Sequence, residues 1–121
     1  MKECKMPLVQ EMYGKGSQHA CVWYADAMYV LRYEYLGHVQ YFVSMCYPKL
    51  SIFKDRYKTQ KCLEGSELEK RKLCCVFSCS GVDYYKGITD KMYSLQIEDK
   101  YLICKIYDKG EVAQLILEHT E

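Results

Sequence analysis

Four short runs of apolar, aromatic and β-branched residues follow one another through the first third of the chain. They are Leu8–Tyr13, His19–Tyr24, Met28–Tyr35 and His38–Cys46, and the breaks between them are short. The first break is Gly14-Lys15-Gly16-Ser17, the second is built on Asp26-Ala27 and the third is Leu36-Gly37. Short strands punctuated by turn residues at this spacing are the pattern of an antiparallel meander. Thirteen tyrosines strengthen it, because tyrosine favours a pleated, half-buried surface.

Past Pro48 the pattern changes. The segment Leu63–Cys75 spaces Leu63, Leu68 and Leu73 among charges, and Ser66 with Glu69 forms an S-x-x-E capping box. A helix is expected over Ser66–Leu73. Strands are expected again in MYSLQIE from Met92, in YLICKIYD from Tyr101 and in EVAQLILE from Glu111, with Asp108-Lys109-Gly110 as a tight turn between the last two. The expectation is therefore an α+β domain spanning residues 1–121, with a small antiparallel sheet and one main helix.

The chain's 121 residues suit one domain, and half of them are hydrophobic, enough for a core. A net charge of +1 supplies no general field for nucleic acid or an anionic membrane. One local basic run stands out, Lys54–Lys61, in which Lys54, Arg56, Lys58 and Lys61 could contact RNA. Tyr29, Tyr33, Tyr35 and Tyr41 are read as sheet packing and not as a base-stacking platform. No apolar stretch approaches a membrane span, and the first residues lack the apolar core of a secretory leader. The eight cysteines sit mostly among apolar neighbours and are expected as reduced thiols in a cytoplasmic protein. Zinc is not expected. Cys74, Cys75 and Cys79 cluster, and His19 with Cys21 makes an H-x-C pair, but neither C-x-x-C nor H-x3-H spacing occurs. No cofactor is expected either.

The segment Leu8–Leu31, LVQEMYGKGSQHACVWYADAMYVL, resembles the H-box of the lecithin:retinol acyltransferase-like proteins, a permuted branch of the NlpC/P60 thiol superfamily. In that family a strand leads through a turn to a histidine that opens a second strand. A small-Asp-small turn, here Ala25-Asp26-Ala27, then leads to a third. The family's nucleophile is a cysteine at a helix start, and Ser78-Cys79-Ser80-Gly81 is the counterpart here. Cys62, which also precedes the expected helix, is the second candidate. The resemblance implies a papain-like fold with Cys79 and His19 as a thiol–imidazole pair, in which the ring takes the thiol proton. The family's second histidine falls at Leu31, which leaves His38 as a substitute third member, and Ser78 stands where the family has asparagine.

An anchorless H-box domain is most similar to the H-box/NC type of 2A protein in parechovirus- and kobuvirus-like picornaviruses, and Glu121 fits an end cut by a protease acting after Gln or Glu. The resemblance implies a viral non-structural protein acting through host or viral partners, with a relict or weak Cys–His site. An active thiol acyltransferase or phospholipase is the alternative, and a cytoplasmic binding module with purely structural cysteines is a third.

Overall fold

The computed structural model describes residues 1–49, 53, 55–87 and 89–119. The chain runs β1 (Lys2–Gly14), β2 (Gln18–Ala25), β3 (Met28–Tyr35), β4 (His38–Ser44), α1 (Arg56–Gly65), a 3-10 turn (Glu69–Arg71), β5 (Lys72–Cys79), β6 (Val82–Lys86), β7 (Met92–Glu98), β8 (Tyr101–Tyr107) and α2 (Lys109–His119). Every strand pairs antiparallel with the next, and β8 returns to pair with β1, so the sheet closes into an eight-stranded barrel. Closure removes both sheet edges.

The meander expected from the sequence is present, joined by tight turns. Asp26-Ala27, Leu36-Gly37 and Ser80-Gly81 all hold both central residues at positive φ. That is the type I′ hairpin turn, whose twist matches that of the strands it joins. The seam between β4 and β5 is short, with Tyr41 opposite Leu73 and Phe42 opposite Lys72.

Alternation along the strands sorts the side chains into three clusters. Cys4, Met6, Trp23, Val30, Tyr41, Leu95, Leu102 and Cys104 form a core to which nearly every strand contributes, which makes it the barrel interior. Interiors of eight-stranded barrels are just wide enough for side chains to fill. On the outer face, Ala20, Val22, Leu31, Tyr33 and Phe42 are covered by Phe53 and by Leu63 of α1. Elsewhere on the outer face, Tyr84 and Met92 are covered by Leu115 of α2.

This architecture overturns the expected α+β, papain-like fold with one main helix. Two local corrections explain much of the difference. The helix before β5 lies earlier than expected, because Asp55 caps it by accepting from the Lys58 N–H at 3.2 Å. Ser66 stands just past its end, where its hydroxyl donates to the Leu63 carbonyl and accepts from the Leu68 N–H. The segment expected as a last strand, EVAQLILE, is instead α2. Glu111 supplies one half of a capping box there. The Asp108 N–H donates to the Glu111 carboxylate at 3.2 Å, and the Val112 N–H donates to the Asp108 carbonyl. Val112 and Leu115, three apart, then meet the barrel together.

Candidate functional site

Cys79 does not open a helix. It ends β5, opposite Val82 across the Ser80-Gly81 turn, and its sulfur lies 3.7 Å from the Ser80 hydroxyl. Its side chain packs with Phe77 and Val82 against the outer cluster beneath α2. His19 belongs to β2, three strands away around the barrel, and shares its sheet face with residues of the interior. The structure therefore does not bring the expected pair together. His38 opens β4 and lines an outer cleft with Tyr33, Gln60 and Glu64 against α1. Leu31 is buried in the outer cluster under α1, on the opposite face of the sheet from His19. Cys62 lies exposed within α1 and not before it.

The partners that His19 does have come from β1 and from its own strand. Its Nε2 lies 2.9 Å from Oε1 of Glu11 and 3.4 Å from Sγ of Cys21. The Tyr13 ring stacks on the imidazole with centroids 4.6 Å apart and planes 14° from parallel, and the Tyr13 hydroxyl donates to Glu11 Oε1 at 2.7 Å.

Register explains the grouping. Glu11 sits directly opposite Cys21, and Tyr13 directly opposite His19. A β-bulge between Leu8 and Gln10 sets this phase. Before it, Cys4, Met6 and Leu8 point into the barrel; after it, the odd-numbered residues share that face. Bulges commonly re-aim a side chain in this way. Glu11 and His19 are therefore placed at the mouth of the barrel, partly open to solvent, with Cys21 buried below them.

Across β3 the same face carries Arg32, which donates to Glu34 at 2.7 Å and to the Tyr41 hydroxyl at 3.2 Å. Burial, reinforced by the Glu11 charge, pushes the Cys21 thiol up to about 11, with Arg32 opposing. Hydrogen bonds from Tyr13 and His19 hold the Glu11 carboxyl below its ordinary range.

This arrangement is not that of a thiol triad. A triad places the nucleophile on one ring nitrogen and the orienting carboxylate on the other. Here thiol and carboxylate meet the same nitrogen. An Nε2–H given to Glu11 leaves no lone pair for the thiol proton, and the raised thiol pKa disfavours the thiolate.

Sequence reasoning found His19 and noted the H-x-C pair, but missed Glu11 and Tyr13. The available signal was their own alternation. E-x-Y and H-x-C flank one hairpin turn, so antiparallel pairing brings the two short motifs to a common face.

Of the basic run, Lys54 lies outside the described residues. Arg56 bonds the Tyr35 hydroxyl and lies 5.0 Å from that ring's centroid, while the Lys61 ammonium lies 5.4 Å from the Tyr57 centroid. Lys58 is exposed. Two of these cations are thus held against tyrosine rings of this chain. All eight cysteines are free thiols, and no helix among the described residues is long and apolar enough to cross a membrane.

A second concavity lies on the outer surface. A groove of about 550 Å³ runs between the end of β4 and the α1–β5 connection, its lining including Cys46, Tyr47, Pro48, Cys62 and Leu68 and the charged Lys49, Glu67 and Arg71. No family model matches this chain, and no curated protein or solved structure is significantly similar to it.

Proposed function

We propose that the chain is a binding module that works by holding an extended segment of a protein partner, and that it is not a thiol hydrolase. The groove beside α1 carries this reading. Its lining is largely apolar and also carries two cations and one anion, a composition that takes a large apolar side chain and sets its direction by charge. Met45 and Tyr47, both exposed, extend the apolar surface at the β4 end. The separation of Cys79 from His19 supports the same reading from the other side, because no thiol–imidazole pair stands at the expected place. This reading keeps a partner-acting role but places it on a different scaffold from the one expected.

The test is selection of a random peptide library on the folded protein, followed by affinity measurement with variants of the groove. Cys62→Glu places a charge in the lining at an exposed position, and Glu67→Lys reverses one of its charges. Enriched peptides should share one apolar anchor beside a charged residue, and each variant should weaken them by roughly tenfold or more. Peptides indifferent to both variants, or thioester turnover that vanishes in Cys79→Ala, would refute the proposal.

A further inference from the structure

We propose that Glu11, His19 and Cys21 form a divalent transition-metal site of the zinc class at the barrel mouth, with one coordination position open to solvent. One donor atom from each residue lies within 4.8 Å of the other two. The three donors are a carboxylate oxygen, an imidazole nitrogen and a sulfur, the ligand types that zinc combines.

The spacing is close to that of a loaded site. Tetrahedral zinc with bonds of about 2.0–2.1 Å to nitrogen or oxygen and 2.3 Å to sulfur holds nitrogen and sulfur about 3.6 Å apart, and nitrogen and oxygen about 3.3 Å apart. The observed Nε2···Sγ separation is 3.4 Å and Nε2···Oε1 is 2.9 Å. A cation would spread these two pairs by only a few tenths of an ångström, and the Glu11 and Cys21 donors, within 4.8 Å of each other, would close around it by side-chain adjustment with no change of register.

The setting has the features of an organised site. His19 and Cys21 lie two apart on one strand, so both project to the same face, and Glu11 reaches them from the neighbouring strand. Rigid strands hold ligands more precisely than loops do. Tyr13 acts as the outer support, its ring on the imidazole and its hydroxyl on the carboxylate. Arg32, the nearby cation, is already paired with Glu34. With three protein ligands among the described residues, and with Glu11 37% and His19 26% exposed at the side chain, the fourth position faces water. That open geometry distinguishes this site from a closed four-ligand structural zinc site.

The experiment uses the full chain, stripped of metal under a non-thiol reductant, with the four exposed cysteines Cys46, Cys62, Cys74 and Cys75 changed to serine to remove competing thiols. Titration with Zn²⁺ should show one ion per chain. Co²⁺ should give a thiolate-to-metal charge-transfer band in the near ultraviolet. Cys21→Ser should abolish that band, Glu11→Gln should lower zinc affinity by at least roughly tenfold, and Tyr13→Phe should weaken binding while keeping the band. Glu11 is exposed, so Glu11→Gln keeps the test decisive even if Cys21→Ser fails to fold. The proposal is overturned by failure to bind one ion, by a thiolate band that survives Cys21→Ser, or by an unchanged zinc affinity in Glu11→Gln.

Discussion

Raising the pH above 9 should destabilise this barrel through a thiol that never meets solvent. Cys104 lies in the interior on β8, fully buried, directly opposite Cys4 on β1. Burial pushes its pKa from the ordinary 9.0 to about 12, and the neighbouring Cys4 adds to the shift. The folded state thus keeps its proton where the unfolded chain has lost it. A raised folded-state pKa contributes stability that is complete below pH 9 and is lost as the pH climbs towards about 12. The slope in that window is about 1.4 kcal/mol per pH unit for one such group. At about pH 10.5 the unfolded thiol is almost wholly ionised and the folded one almost wholly protonated, a loss of about 2 kcal/mol. Cys21, pushed up to about 11, loses stability in the same direction over the lower part of the window.

Urea unfolding at a series of pH values reads this directly, followed by the fluorescence of Trp23, the only tryptophan and buried in the same core. Cys104→Ala separates the Cys104 contribution from the others. The variant starts less stable at neutral pH, by roughly 1–2 kcal/mol for the small cavity, yet should lose stability more slowly above pH 9. Equal alkaline slopes in wild type and variant would falsify the assignment, as would a thiolate absorbance titration placing Cys104 near 9.

Other perturbations test the rest of the fold. Phe42→Ala, at the centre of the cluster beneath α1 and 1% exposed, should cost roughly 3–5 kcal/mol in the same urea assay. Gly14→Ala should destabilise the protein and lower its melting temperature, because the added methyl would run into the Gln18 side chain and stand 2.7 Å from the Phe53 carbonyl oxygen. Asp55→Ala removes the acceptor for the Lys58 N–H and should cost about 1 kcal/mol, seen with faster amide exchange in the first turn of α1. Brief alkylation of native protein should label Cys46, Cys62, Cys74 and Cys75 well before Cys4, Cys21 and Cys104; mass spectrometry of the digested chain gives the order.

The first four strands were legible because their signal is local. Alternation of period two and turn residues such as Leu36-Gly37 act within a few positions, and β2, β3 and β4 match the runs in the sequence to within two residues, while β1 begins six residues before its run, at Lys2. The expected helix was misplaced and α2 was expected as a strand, because competing signals of similar local strength exist. Ser66-x-x-Glu69 and Asp108-x-x-Glu111 have the same form of start signal, and only the second begins a helix that packs a face on the barrel, while the first follows a helix already capped by Asp55. A capping pattern offers about 1 kcal/mol, and burial of an apolar face decides which offer is taken.

The sequence by itself determined the first four strand segments and the turns between them, the strands from Met92 and Tyr101, and the presence of His19 on a strand, while β5 and β6 were not among its expected strands. Tertiary structure alone decided that the sheet closes. Pairing Cys4 with Cys104 joins residues from opposite ends of the chain, and no local pattern carries that information. It also decided the site. One extra residue in β1, at the bulge after Leu8, turns Glu11 and Tyr13 onto the face of His19 and Cys21, while Cys79 is turned outward beneath α2. Which face a side chain takes depends on pairing register, and register is set by the neighbouring strand and the buried core.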